Sequence, residues 1–436
     1  MTALLAGAEY SGRTVLSRSS LIGVLVTLIA ALFIGQYVRV WMAIPDAQAR
    51  TSDFAGTYAA ATLWSRGDAA HMYDSQAEQQ VLAAAGTPAD HLNIPFENPP
   101  AAAVLASPLV SLDPTTAYRV WSLIQLGLLA AAIAIAAWAA PWSSRSRPIV
   151  RVAAVAVAAA GLGSGLLFIE GQWDGVAALG VALAYVAWRR DSGVWAGWAI
   201  GFSLALAKPH LALGFAAFAL GRRDWRAAGT MVAGAVSAGL AGLATAGVAG
   251  TSGFVHALLL PSNNPLFVMQ GASGLVTSWL GGSLPVLLIT VAASLAGAGA
   301  AAWMGWVSRN RPGSLEPALA GAIVLTLFIS PHLLGHDLTL LAPAVVFGMA
   351  WIAAREAAGG QRWPGRLSIT VLLTWTLISL ATQQDLGNYS SAPPGRLTPW
   401  MLLIAAGLCG AALAASVRAP GDAATGAERL TVSAAG

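Results

Sequence analysis

Long apolar runs alternate with short polar breaks over nearly the whole 436-residue chain. The runs fall at 21–44, 115–140, 151–169, 174–188, 193–207, 209–220, 226–248, 284–306, 316–331, 337–353, 367–384 and 398–417. A membrane-crossing helix needs about 20 consecutive apolar residues. The pattern therefore predicts an all-α integral membrane protein, a polytopic bundle of about twelve transmembrane helices. A thirteenth apolar piece, 101–112, is too short to cross as a standard helix and is expected to be re-entrant or interfacial. The pair 193–207 and 209–220 is broken at Lys208-Pro209 and reads as a helical hairpin with Lys208, Pro209 and His210 at its tip. Residues 1–420 make one membrane domain on this reading. Residues 421–436, rich in Ala, Gly and Thr, form a tail with no packing pattern and are expected to be disordered and cytoplasmic.

The longest polar stretch between runs is Arg50–Pro100. It lies within a first outer loop, 45–114, which also contains the 101–112 piece and is expected to carry interfacial helices. With the N-terminus cytoplasmic and 101–112 not crossing, the arginines sort to one side. The inner loops then hold Arg145, Arg147 and Arg151, Arg189 and Arg190, Arg222, Arg223 and Arg226, Arg309 and Arg311, and Arg355, Arg362 and Arg366. The opposite face holds most of the carboxylates. This is the distribution that orients a chain in a membrane, and a crossing at 101–112 would reverse every later cluster. Arg13 and Arg18 before the first run resemble a signal sequence, but that run is too long for a signal core and many more follow, so it reads as a retained helix.

Composition agrees. Hydrophobic residues make up 57% of the chain and charged residues 10%, against about 25% charged in soluble domains. The 47 glycines let membrane helices approach closely. The formal charge of +4 comes from arginines scattered between runs and gives no sign of nucleic-acid binding. The one cysteine, Cys409, excludes an intramolecular disulfide and a thiolate metal site.

The same topology gathers the unusual polar residues on the outer side. They are Asp53, Glu97-Asn98, Glu170-Gly171-Gln172-Trp173-Asp174, Lys208-Pro209-His210, Asn263-Asn264-Pro265 with Gln270, Ser330-Pro331-His332 with His336-Asp337, and Gln383-Gln384-Asp385. Ionisable groups at membrane boundaries are costly unless they pair or face a cavity. An outward polar pocket lined by loops and helix ends is the reading that covers them all.

Asp53-Phe54 after the first run, Tyr73-Asp74, Asn98-Pro99-Pro100, Gly171-Gln172 opening a helix, Lys208-Pro209, and Ser330-Pro331-His332 followed by His336-Asp337 together resemble glycosyltransferase family 87. The resemblance spans most of 45–400. It implies the GT-C membrane architecture and the transfer of a sugar from a polyprenyl-phosphate donor to a hydroxyl of a cell-envelope glycolipid or glycan, with inversion. Mannose is the first candidate sugar and arabinofuranose the near alternative. The implied setting is the outer face of the plasma (inner) membrane. The implied partners are the lipid-linked donor, the acceptor and membrane lipids, with no nucleic acid, no cofactor and no metal.

The resemblance places Asp53 as the general base that takes the acceptor's proton. The leaving phosphate needs neutralising rather than protonating, and Lys208, His210, His332 and His336 are the candidates. His332 and His336, at i and i+4, would share one helical face. Asn98, Gln172, Asn263, Gln270 and Asp337 are candidates for sugar and acceptor contacts, and Trp173 for stacking on a sugar ring. Each has a plainer reading. Asp53 could cap an interfacial helix, Lys208 could snorkel to the interface, and Gln172 and Asp174 could cap the run that begins at 174. Asn263-Asn264-Pro265 suits a turn, and Glu97 reads as a solvated loop residue. His332 to Asp337 looks superficially like a metal site, but no carboxylate cluster completes it.

Two other classes compete. A transporter or lipid flippase tends to show inverted repeats and polar groups at the midplane of broken helices; here no repeat is visible and the polar groups lie at one face. A non-catalytic scaffold gives no reason for Asp53, Lys208, His332 and His336 to share a cavity.

Overall fold

The computed structural model describes residues 18–144, 148–259, 265–282, 284–311, 313–360, 365–387 and 396–417. Asn263 and the tail at 421–436 lie outside the described residues. Among the described residues the chain is helical and contains no strand.

Helix α1 (Arg18–Ala43) is followed by four short helices in the loop expected to lie outside: α2 (Asp46–Ala49), α3 (Phe54–Ser65), α4 (Ser75–Ala84) and α5 (Pro100–Ala106). Then come α6 (Pro114–Ala139), α7 (Pro148–Ala159), α8 (Leu162–Glu170), α9 (Asp174–Arg189), α10 (Gly193–Ala207), α11 (Ala212–Gly221) and α12 (Trp225–Leu259). The rest are α13 (Ala272–Leu280), α14 (Leu284–Asn310), α15 (Leu315–Ile329), α16 (Leu341–Ala358), α17 (Arg366–Gly387) and α18 (Thr398–Val417).

Every run expected to cross holds a helix, but length supports fewer crossings than twelve. Among the described residues, seven helical segments are long and apolar enough to cross a membrane. An eighth is possible if α7 and α8, bent by 48° at their junction, act as one span. The difference lies mainly in α9, α10, α11 and α15, which have 16, 15, 10 and 15 residues. At 1.5 Å per residue, 15 residues reach only about 22 Å, short of the ~30 Å hydrocarbon core. Helix α15 is buried almost all round and α9 over most of its length, as expected of apolar helices enclosed by other helices. The longer α1, α12 and α14 lie outside them and expose stripes such as Leu25, Leu28 and Leu32, or Leu284, Leu288 and Leu295. These are the faces an apolar solvent would cover.

The core packs on α9. Its Tyr185 ring stacks on Phe347 of α16 with centroids 4.4 Å apart. Buried Glu316 of α15 accepts from Arg189 at 2.9 Å and Tyr185 at 3.1 Å, so one carboxylate ties two helices without an unpaired buried charge. In α12 the regular helix breaks at Gly247 (φ +66°), a conformation glycine adopts without steric cost. The arm beyond the break packs on the outer loop, with Phe254 5.8 Å from the Tyr73 ring.

The outer loop is strapped in place. Tyr73 donates to the Asn98 carbonyl at 2.6 Å, and its ring lies 5.3 Å from Phe96. The buried Glu78 of α4 accepts the Phe96 N–H at 3.0 Å. Burial pushes the Glu78 carboxyl up to about 7 from an ordinary 4.5, the Phe96 bond opposing and Asp74 and Glu97 adding to the rise. The folded protein thus binds this proton more tightly than the unfolded chain, so stability falls as pH rises from about 4.5 to 7. Glu78→Gln keeps an acceptor for Phe96 and removes the ionisation. It is expected to raise stability by about 3 kcal/mol above pH 7, and to give no gain at pH 4.5, in thermal unfolding of the detergent-solubilised protein.

Candidate active site

Asp53 stands at the N-terminus of α3, and its side chain is exposed. It occupies the N-cap position without making a capping bond; its Oδ2 instead accepts from Gln172 Nε2. Two local features make this meeting possible. Phe54 is buried and stacks on Trp121 of α6 with centroids 5.6 Å apart, fixing the start of α3. Gly171 ends α8 in the left-handed region (φ +70°), where it reverses the chain into α9. A Cβ there would stand 3.1 Å from Phe54 Cβ, and Trp121 Nε1 donates to its carbonyl at 2.9 Å. This tight turn carries Glu170 and Gln172 to Asp53 and Asp174 to Lys208 behind them.

Behind Gln172 lies a buried ionic cluster. Lys208, at the break between α10 and α11, donates to Gln172 Oε1 at 3.2 Å. Its Nζ is 3.2 Å from Asp337 Oδ1 and 3.6 Å from Asp174 Oδ2. Both carboxylates are 0% exposed. Asp337 Oδ2 accepts the Leu334 N–H at 2.7 Å. His336 Nδ1 is 3.0 Å from Asp174 Oδ2 and 3.3 Å from Lys208 Nζ; a lysine ammonium only donates, so the tautomer of His336 decides which of the two it bonds. Burial alone would push the Lys208 ammonium down, but Asp174 and Asp337 outweigh it and hold the group above its ordinary value.

Two further groups complete the site. Glu97 is exposed and within electrostatic reach of Lys208, Asp53, His210 and His336. The His210 and His332 rings meet edge to face at 5.8 Å and 76°, and His210 Nε2 is 3.8 Å from Asp337 Oδ2. Burial, then the neighbouring His210, pushes the His332 imidazole down to about 4.

The sequence-predicted residues divide as follows. Asp53, Gln172, Lys208, His210, His332, His336 and Asp337 come together. His332 and His336 do not share a helical face, because the chain is non-helical from Ser330 to Gly335 and turns into a 3-10 segment only at His336. Asp337 is buried among charged partners. Trp173 is not open to a sugar ring: it is buried, its ring 4.5 Å from Trp121 and its Nε1 bonded to Thr57 Oγ1 at 3.2 Å. Gln270 is buried against the 330–335 loop, its backbone N–H donating to the Leu333 carbonyl at 2.8 Å. Asn98 is half-buried on the Glu97 loop. Asp385 belongs elsewhere, accepting the Leu397 and Thr398 N–H groups at 2.9 and 2.8 Å at the start of α18.

The sequence reading placed Glu170, Asp174 and Glu97 at the outward pocket but gave them no part in the site. Ligand atoms of Asp53, Glu170 and His336 lie within 4.8 Å of one another, as do those of Asp174, His336 and Asp337. Carboxylates remote in sequence are therefore gathered in space, contrary to the expectation that no such cluster exists. The Lys208 ammonium occupies the second set. Asp53, Glu170 and His336 are the residues that a divalent cation would use.

Comparison with known proteins gives one match. The family model of glycosyltransferase family 87 matches residues 96–331, more than half of the chain, and the chain belongs to that family. No curated protein and no solved structure matches it.

Proposed function

From this membership we propose that the protein is a polyprenyl-phosphate-sugar-dependent hexosyltransferase, with mannose the first candidate sugar, acting on a hydroxyl of a cell-envelope glycolipid or glycan. The observation that carries the reading is Asp53: an exposed carboxylate beside a buried ionic cluster, with one oxygen held by a donor and the other available for a proton. A base must reach the hydroxyl it deprotonates, and an accessible carboxylate with one fixed oxygen meets that need. Transfer by direct attack inverts the sugar centre. Helix α9 carries Asp174 at one end and Arg189 at the other, and Arg189 pairs with Glu316 in the first turn of α15, whose far end leads to His332; arginines at the end remote from the site support an extracytoplasmic location in the plasma membrane.

The donor phosphodiester is placed beside His332 and His210, with His336 behind them. The Nε2 of His336 is buried and has no hydrogen-bond partner among the described residues. A phosphate anion beside His332 favours its protonated form, so donor binding takes up a proton there. Donor affinity is expected to rise as pH falls toward about 4, the value of the free imidazole, by at most about tenfold per unit. His332→Ala is expected to flatten that dependence in equilibrium binding of the intact donor, whose phosphodiester keeps one charge throughout.

The reading is tested by offering the purified protein polyprenyl-phosphate mannose, polyprenyl-phosphate arabinofuranose and a nucleotide-activated mannose, each with a membrane glycolipid extract. Transfer from the first alone is the expected result. Transfer from the second alone keeps the reaction class and changes the sugar. Transfer from the nucleotide sugar alone contradicts the reading.

A further inference from the structure

Lys208 and Gln172 lie on a line that ends at Asp53. Lys208 can only donate, and its Nζ faces Gln172 Oε1 at 3.2 Å. That contact fixes which way the amide points: the oxygen is turned to the lysine and the Nε2 hydrogens to Asp53 Oδ2. Without it the two ends of the amide would be nearly equivalent in shape, and the flipped form would set an oxygen against a carboxylate. Lys208 is itself held by Asp337 and Asp174, and Asp174 also holds His336. With two buried carboxylates beside it, its charge is already balanced before any anion arrives.

We infer that Gln172 and Lys208 are positioning residues for Asp53: the buried Asp174–Lys208–Asp337 cluster fixes the Gln172 amide, and the amide fixes the carboxylate so that Oδ1 faces the acceptor hydroxyl. This rests on the proposed role of Asp53 as base. It reassigns both residues from direct contact with sugar or phosphate. The elements packed around Asp53 also bring Glu97, Glu170 and His336 toward it. None of the three is placed to fix the amide; Lys208 is.

The test uses Gln172→Leu and Gln172→Glu in the full chain. Leu removes both bonds. Glu keeps an oxygen for Lys208 and the size of the side chain, but removes the donor to Asp53. Both variants are expected to lose about 100-fold in kcat, within the range of a general-base contribution, while Gln172→Leu, which adds no charge, binds the intact donor within about threefold of wild type. Full activity of Gln172→Glu would overturn the inference, because holding Lys208 would then suffice. A donor Kd raised about tenfold or more in Gln172→Leu would also overturn it, because the residue would then contact the substrate. Structures of both variants give a readout independent of turnover: Asp53 is expected to leave its wild-type rotamer, and an unmoved carboxylate in both overturns the inference. A wild type without transfer activity counts against the functional reading alone, and the Asp53 rotamers then decide this one.

Discussion

Asp53→Asn is expected to lower sugar transfer by about three orders of magnitude, in the range of a general base removed from a positioned site. The substitution preserves shape, and the side chain is exposed, so folding and expression should be unchanged. The remaining amide can still accept the Gln172 hydrogen bond through its oxygen, which keeps the local geometry. It lacks only a site that can take the acceptor's proton. Donor binding should therefore persist while kcat falls, the pattern of an interaction made only in the transition state. Turnover and donor binding measured on the same preparation separate the two. A variant that folds, binds donor and turns over normally would remove Asp53 from the chemistry.

The largest effect on stability is expected at Lys208. Lys208→Met leaves Asp174 and Asp337 buried without their cation, and the lysine side chain is itself only 10% exposed. Removing one partner of a buried ionic cluster typically costs about 3–5 kcal/mol, because the remaining charge is uncompensated. His336 offers partial compensation on the Asp174 side, so the lower half of that range is the closer expectation. Thermal unfolding in detergent reads it. The control is Asp174→Asn/Lys208→Met/Asp337→Asn, which removes the orphaned charges together and should recover most of the loss. If the single and triple variants are equally unstable, packing around Lys208 is at fault and the ionic account fails.

Much of this is legible in the chain and some is not, for identifiable reasons. Helix positions follow from apolar runs, and the break at Lys208-Pro209 follows from proline chemistry. The number of full crossings does not follow: the runs at 174–188, 193–207, 209–220 and 316–331 are already shorter than about 20 residues, and an apolar run alone does not tell a crossing helix from a short one packed among longer helices, as α9, α10, α11 and α15 are. Asp53 stands out by its place after the first run, and Gln172 by its glycine. Their bond is invisible in the sequence, since it joins positions separated by 119 residues. Gln172 and Lys208, separated by 36 residues, read as substrate contacts because nothing in the sequence shows that a polar side chain faces another one. Trp173 misleads for the complementary reason: Trp121 covers it, and the sequence does not reveal a cover. The signal that could have given Asp174 and Glu170 a role is present. They flank Gly171-Gln172-Trp173 in an otherwise apolar stretch, where an ionisable residue needs a partner.

Sugar transfer from a lipid-linked donor depends, on this reading, on a base at Asp53. The most direct test incubates purified wild type and Asp53→Asn with radiolabelled polyprenyl-phosphate mannose and a membrane glycolipid extract, and measures label moved to the acceptor. Transfer by wild type and its near absence in Asp53→Asn is the predicted result. Equal transfer by the two proteins would contradict the assignment of the base. Absence of transfer by wild type with both the mannose and the arabinofuranose donors would contradict the proposed reaction.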